Sequence, residues 1–212
     1  MPRPTRLLLA LRRELAVRGD PERARGAQAY MKSAMPFHGV GAELATEVLG
    51  LFRGARYREE MYAAVELARL KRAAPLRDLS FLPVCEEMVV SGAWWDVVDP
   101  VASHLLGELL RKEARSMRRE MLAWARCDDL WKRRSAILCQ LGFKGDTDLD
   151  LLYACLEPAL GSRELFLRKA IGWALRQYAW TDPAEVLRWV SANEQRLSPL
   201  SRREALKNVG RE

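Results

Sequence analysis

The sequence predicts an all-α protein, built as a solenoid of short stacked helix pairs. Three observations carry this expectation. Helix-start grammar recurs along the chain: Asp20-Pro21-Glu22, Thr181-Asp182-Pro183-Ala184-Glu185 and Ser198-Pro199 each place a capping side chain before a proline at the first helical position. The breaks are short, at Gly39-Val40-Gly41, Arg53-Gly54, Gly145-Asp146 and Gly161-Ser162. No segment combines strand-like alternation with hairpin turn chemistry.

Taken in order, helices are expected at roughly 4–18, 21–34, 42–53, 56–71, 78–91, 94–110, 113–126, 128–142, 148–159, 162–179, 183–194 and 199–209. Asp20-Pro21 separates the first two, and the Gly39–Gly41 and Gly54 breaks bound the third. In 128–142, Leu130, Trp131, Ile137, Leu138 and Leu141 can face a core, with Lys132, Arg133 and Arg134 clustered in the first half. In 162–179, Phe166, Ala170, Trp173 and Gln177 share a stripe, with Arg163, Lys169 and Arg176 beside it. The last helix carries Arg202, Arg203 and Lys207. No strict period is present, so the repeats are degenerate, in the manner of HEAT motifs. No linker or low-complexity tract interrupts 1–212, which reads as one domain. Basic residues recur along one side of the later repeats, which predicts a concave basic face suited to a duplex backbone.

Composition limits the function classes. The chain has 212 residues, 49% hydrophobic and 30% charged, enough for a real core and against disorder. A net charge of +7, mostly from arginine, favours an anionic partner. Cys85, Cys127, Cys139 and Cys155 form no CxxC pair, and His38 and His104 are the only histidines, so no metal site and no cofactor are expected. Reduced, mostly buried thiols and a cytoplasmic location follow. The apolar start at Leu7–Ala10 meets Arg12, Arg13 and Glu14 too early for a signal peptide or a spanning helix.

The stretch Trp94-Trp95-Asp96-Val97-Val98-Asp99 carries the chemistry. Trp95 and Asp99 are four residues apart and share one helix face, an aromatic surface beside a carboxylate. Trp94 and Val98 form the neighbouring stripe and are expected to pack inward. Asp96 points about 60° away from Asp99 and reads as structural.

These residues resemble a known family. Trp94–Asp99, Trp131-Lys132-Arg133-Arg134-Ser135-Ala136-Ile137-Leu138 and Arg168–Tyr178 are similar to segments of the AlkD-type DNA alkylation repair glycosylases. Ala29-Tyr30-Met31-Lys32 and Leu200-Ser201-Arg202-Arg203-Glu204-Ala205 extend the likeness, in the family's order. The sequence departs after Gly41, where about one helix's worth of chain is missing before Gly54, so the early repeats are expected to be shortened.

The resemblance implies a monomeric glycosylase that grips duplex DNA and releases cationic N3- and N7-alkylpurines without flipping the base. It implies Asp99 as the catalytic carboxylate, Trp95 and Trp173 as the aromatic pair bracketing the lesion, and Arg134 as the group that grips a neighbouring phosphate beside Asp99. Tyr30 is implied near the lesion strand. Lys132, Arg133, Lys169, Arg176, Arg202 and Arg203 are expected on the DNA backbone, with Lys169 a phosphate contact rather than a lyase nucleophile. Trp94, Trp124, Trp131 and Trp189 are assigned to the core, and Trp180 falls at a helix end. Two other readings stay open: a non-catalytic DNA-binding module, and a protein-interaction scaffold.

Overall fold

A computed structural model describes residues 44–210, in two compact units that divide between Val84 and Cys85. Tyr30 and the expected helices at 4–18 and 21–34 lie outside the described residues. Every regular element among the described residues is helical.

The described part of the first unit holds α1 (Leu44–Arg53) and α2 (Arg58–Arg69), which pack on each other, then two 3-10 turns, Lys71–Leu76 and Leu79–Phe81. Val48 and Phe52 of the first helix and Ala64 and Val65 of the second are buried. Arg77 is buried and donates to the carbonyls at the end of α2, Ala68 and Leu70, the latter at 3.1 Å. It satisfies carbonyl groups that a helix end otherwise leaves open.

α3 (Leu82–Gly92) crosses into the second unit. α4 (Trp95–Pro100) runs without a break through a π-helical segment (Val101–Leu106) into α5 (Gly107–Lys112). Then come α6 (Ala114–Trp124), α7 (Leu130–Leu138), α8 (Leu149–Leu156), α9 (Leu165–Tyr178), α10 (Pro183–Ala192) and α11 (Pro199–Ala205). These helices form two rows. α4, α7, α9 and α11 pack successively in one row, and α6 and α8 pack behind them in the other. Tyr153 of α8 stacks on Trp189 of α10 with ring centroids 5.2 Å apart and donates its hydroxyl to Glu185, which continues the second row. This stacking of helix pairs is the HEAT-like arrangement that the sequence predicts. Its core includes Met88, Leu105, Leu109, Met117, Met121, Ile137, Leu138, Leu156, Leu167 and Ile171, all fully buried.

The capping grammar works as written. Asp182 accepts from the Glu185 amide and Ser198 from the Ser201 amide, with Pro183 and Pro199 at the first positions. Asp129 accepts from the amides of Trp131 and Lys132, which fixes the start of α7. The cysteines are free thiols, and Cys85, Cys139 and Cys155 are buried while Cys127 is half-buried. No helix among the described residues is long and apolar enough to cross a membrane.

α9 and α11 approach closely at Gly172. A Cβ there would meet the Glu204 Cβ at 2.4 Å and the Ser201 carbonyl at 3.0 Å. Gly172→Ala is therefore expected to destabilise the fold by about 1–3 kcal/mol through overpacking, measured by denaturant or thermal unfolding.

Candidate active site

Four helix-borne side chains expected at the site fall on α4, α7 and α9, three successive members of one row in the second unit. The turn before α4 is strained. Ala93 has φ +40°, in the left-handed region that a β-carbon disfavours. It turns the chain so that Trp94, extended at φ −156°, begins the helix and Trp95 and Asp99 follow on one face.

Asp99 is the last residue before Pro100, which closes the α-helical part. Proline has no amide to donate, so the regular i→i−4 ladder loses a bond there. The Val101 amide bonds both Val97 and Val98, and the ladder widens into the π-helical segment up to Leu106. The Ser103 hydroxyl donates to the Asp99 carbonyl at 2.7 Å. The carboxylate thus sits at the junction of two helical geometries.

Arg134 of α7 meets that carboxylate. Its Nε donates to Asp99 Oδ1 at 2.7 Å and its Nη2 to Oδ2 at 2.8 Å. Its Nη1 donates to the Phe166 carbonyl of α9 at 2.5 Å. The pair is buried, with Asp99 7% and Arg134 4% exposed. Burial pushes the Asp99 carboxyl above its ordinary value, the two Arg134 hydrogen bonds and its charge pull it down, and burial is the larger influence.

Trp95 and Trp173 are half-buried, and neither ring contacts another aromatic ring among the described residues. Both keep ring area open. Asp96 accepts from the Val97 amide at 2.9 Å, a local turn contact at the helix start that accords with its structural reading.

The basic residues expected on DNA differ in environment. Lys132 pairs with Glu86 at 2.6 Å and lies 4.8 Å from the Trp124 ring centroid. Arg133 donates to the Pro158 carbonyl at 2.8 Å. Arg176 pairs with Glu204, which also takes Lys207, and Arg202 pairs with Glu194 at 2.6 Å. Arg203 is exposed beside Glu204, and Lys169 is exposed and makes no ion pair among the described residues.

One core assignment needs correction. Trp94 is half-buried rather than core: as the residue before the first turn of α4 it cannot follow the inward stripe that Val98, fully buried, does follow. Phe166, which the sequence placed on a stripe with Trp173, is half-buried in the first turn of α9. Trp124, Trp131 and Trp189 are buried as expected, and Trp180 is 62% exposed. Phe166 is the member of the site that sequence reasoning missed. Its signal was its place seven residues before Trp173, on the same helix stripe.

Comparison with known proteins gives this geometry its setting. A family model for DNA alkylation repair enzymes matches residues 42–209. A solved structure described as a predicted DNA alkylation repair enzyme from Enterococcus faecalis is 28% identical, over 91% of this chain and 97% of that one, with a TM-score of 0.78. No curated protein matches. The family match spans most of the chain and all of α4, α7 and α9, and on that evidence the chain belongs to the family of DNA alkylation repair enzymes.

Proposed function

We propose that the protein is a monofunctional DNA glycosylase, acting on duplex DNA that carries N3- or N7-alkylated purines. The observation that carries this reading is a buried carboxylate on the helix of half-buried Trp95, held at two points by an arginine of the helix that packs next to that of half-buried Trp173. An N3- or N7-alkylpurine is already cationic and leaves without protonation. As the C1′–N bond breaks, its electron pair goes to the base and positive charge develops on the deoxyribose. Asp99 stabilises that charge more than it stabilises the uncharged sugar of the ground state. Water then attaches to C1′ and gives up a proton, and Asp99 can orient that water, as carboxylates do in sugar hydrolysis. The products are free base and an abasic site.

Trp95 and Trp173 offer π faces to a cationic base and to the sugar cation, so the base need not be drawn into a deep pocket. Arg134 fixes the plane of the Asp99 carboxylate. It has five N–H groups, three of them spent on Asp99 and Phe166, and the two that are left on Nη1 and Nη2 are the donors available to a phosphate oxygen. Lys169 and Arg203 are the exposed cations best suited to the DNA backbone. The paired cation Arg202 can exchange its surface carboxylate for a phosphate, since exposed pairs hold weakly, whereas Arg176 and Glu204 are half-buried. The protein acts as a monomer on this reading, without metal or cofactor.

The deciding experiment is release of 7-methylguanine from methylated duplex DNA. Asp99→Asn is expected to lower the rate by about 10²–10³ while duplex binding is kept or tightened, because a negative charge near phosphates is removed. A wild type that binds duplex DNA yet releases no N3-alkyl, N7-alkyl or bulky cationic adduct would sink the reading and leave a DNA-holding module.

The pH profile is a second check. The working form of Asp99 is the carboxylate, so the rate falls as pH drops through its folded-state pKa. Burial sets that limb above the ordinary carboxylate range. Arg134→Lys keeps a charge but loses the two-point hold, and is expected to move the limb further up and slow the reaction. A limb at the ordinary carboxylate position would contradict the assignment. Finally, Lys169→Ala and Arg203→Ala are each expected to reduce the salt slope of duplex binding by about 1, measured as log Kd against log salt.

A further inference from the structure

Three aromatic rings crowd beside the Asp99–Arg134 pair. The Trp94 and Phe166 centroids are 5.1 Å apart and edge-on, Trp131 and Phe166 are 5.0 Å apart, and Trp94 and Trp131 are 5.9 Å apart. Each ring comes from a different helix and from its N-terminal end. Trp94 is the residue before α4, Trp131 is the second residue of α7, and Phe166 is the second residue of α9. These are the three helices that supply Trp95 and Asp99, Arg134, and Trp173. The cluster therefore ties together the starts of the three helices that carry the proposed chemistry further along their length.

Phe166 has a second link. Two parallel hydrogen bonds to Asp99 leave the guanidinium free to rock about the line of the pair. The bond from Nη1 to the Phe166 carbonyl, on a third helix, stops that motion. The guanidinium carbon also lies 5.9 Å from the Phe166 ring centroid, within reach of the ring's face charge. Burial is not a sufficient account of the cluster, since Trp94 and Phe166 stay half-exposed. An aliphatic side chain would cover the same neighbours, but it lacks the tilted and edge-to-face preferences that set an angle between helices.

Resting on the glycosylase reading, we infer that Trp94, Trp131 and Phe166 are positioning residues for that reaction. The cluster sets the mutual angle of α4, α7 and α9, and Phe166 anchors Arg134 so that the Asp99 carboxylate meets the sugar. A displacement of about 1 Å in such a constellation costs about 100-fold in rate. None of the exposed cations belongs to the cluster, so it touches DNA affinity only through the spare donors of Arg134 and acts chiefly on the chemical step.

The test uses the full chain with Phe166→Leu, which keeps the backbone carbonyl and an apolar side chain, and Phe166→Tyr as the conservative variant. Single-turnover release of 7-methylguanine, duplex Kd and thermal unfolding are measured for each. Phe166→Leu is expected to slow release by at least about 10-fold with unchanged duplex Kd and a cooperative unfolding transition, and Phe166→Tyr to recover most of the rate. A folded Phe166→Leu with the wild-type rate overturns the inference and leaves the glycosylase reading standing. So does a loss of rate that Phe166→Tyr shares in full, or one matched by a loss of DNA affinity. Should Phe166→Leu fail to fold, Trp94→Leu, at a half-exposed position, is judged by the same criteria. A wild type that releases no base overturns both readings, which separates that failure from the others.

Discussion

The second unit depends on one buried ion pair. Asp99 and Arg134 are separated by 35 positions in sequence and joined by two hydrogen bonds in a site that water barely reaches. Taking two charges out of water costs several kcal/mol per ion, and their attraction repays this only where geometry is good and the other donors are satisfied. Here the third donor goes to the Phe166 carbonyl, so the pair spans three helices instead of two. A pair of well-packed apolar residues would hold α4 against α7 at least as well. What such residues could not supply is a carboxylate with a fixed plane. The pair is accordingly better understood as an arrangement that keeps charge in place than as a source of stability.

The backbone around it is irregular in ways that serve the same end. Within the run from Ala93 to Leu106 the chain passes through a left-handed alanine, an extended tryptophan, a short α-helix, an internal proline and a π-helical segment. A regular helix would direct residues every fourth position along one stripe. The widened turn after Pro100 changes that phase, so Asp99 can face Arg134 while Leu105, Leu106 and Leu109 still reach the core. The irregularity carries a cost in backbone strain and in lost ladder bonds. The packed leucines and the Ser103 bond to the Asp99 carbonyl offset it locally.

The sequence made the helices legible because their signals are local. Asp182-Pro183 and Ser198-Pro199 cap where they were expected to, since a capping oxygen and its amide are three residues apart. The expected helix at 94–110 corresponds to three consecutive segments, and only Pro100 hinted at the change, because Val101–Leu106 has no residue that breaks an α-helix. The site residues themselves came from the family resemblance, while helix spacing could only place Trp95 and Asp99 on one face. Trp94 was misassigned for a physical reason. Periodicity says which residues share a stripe and not which stripes meet, and Trp94 stands just before the first turn of α4, where a neighbouring helix decides its exposure. That Arg134 would bond a backbone carbonyl on α9 has no sequence signal at all.

The charges of the molecule fall into two kinds, and the division bears on how a basic protein could handle a cationic lesion. Among the described residues, arginines pair with carboxylates at the surface, as Arg202 does with Glu194 and Arg111 with Asp146. Such pairs hold weakly, so an arriving polyanion can take over the cation and release the carboxylate to solvent. Asp99 and Arg134 cannot exchange in this way, because separating them would leave a charge buried and unpaired. On the proposed reading, DNA approaching an excess of positive charge meets one carboxylate that the phosphates cannot push aside. Under the proposed reaction the deoxyribose is the one part of the duplex that becomes positive, and it does so only as the bond breaks. A negative charge that is fixed against the ground state is thus reserved for the transition state, and it is Arg134, itself a cation, that does the fixing.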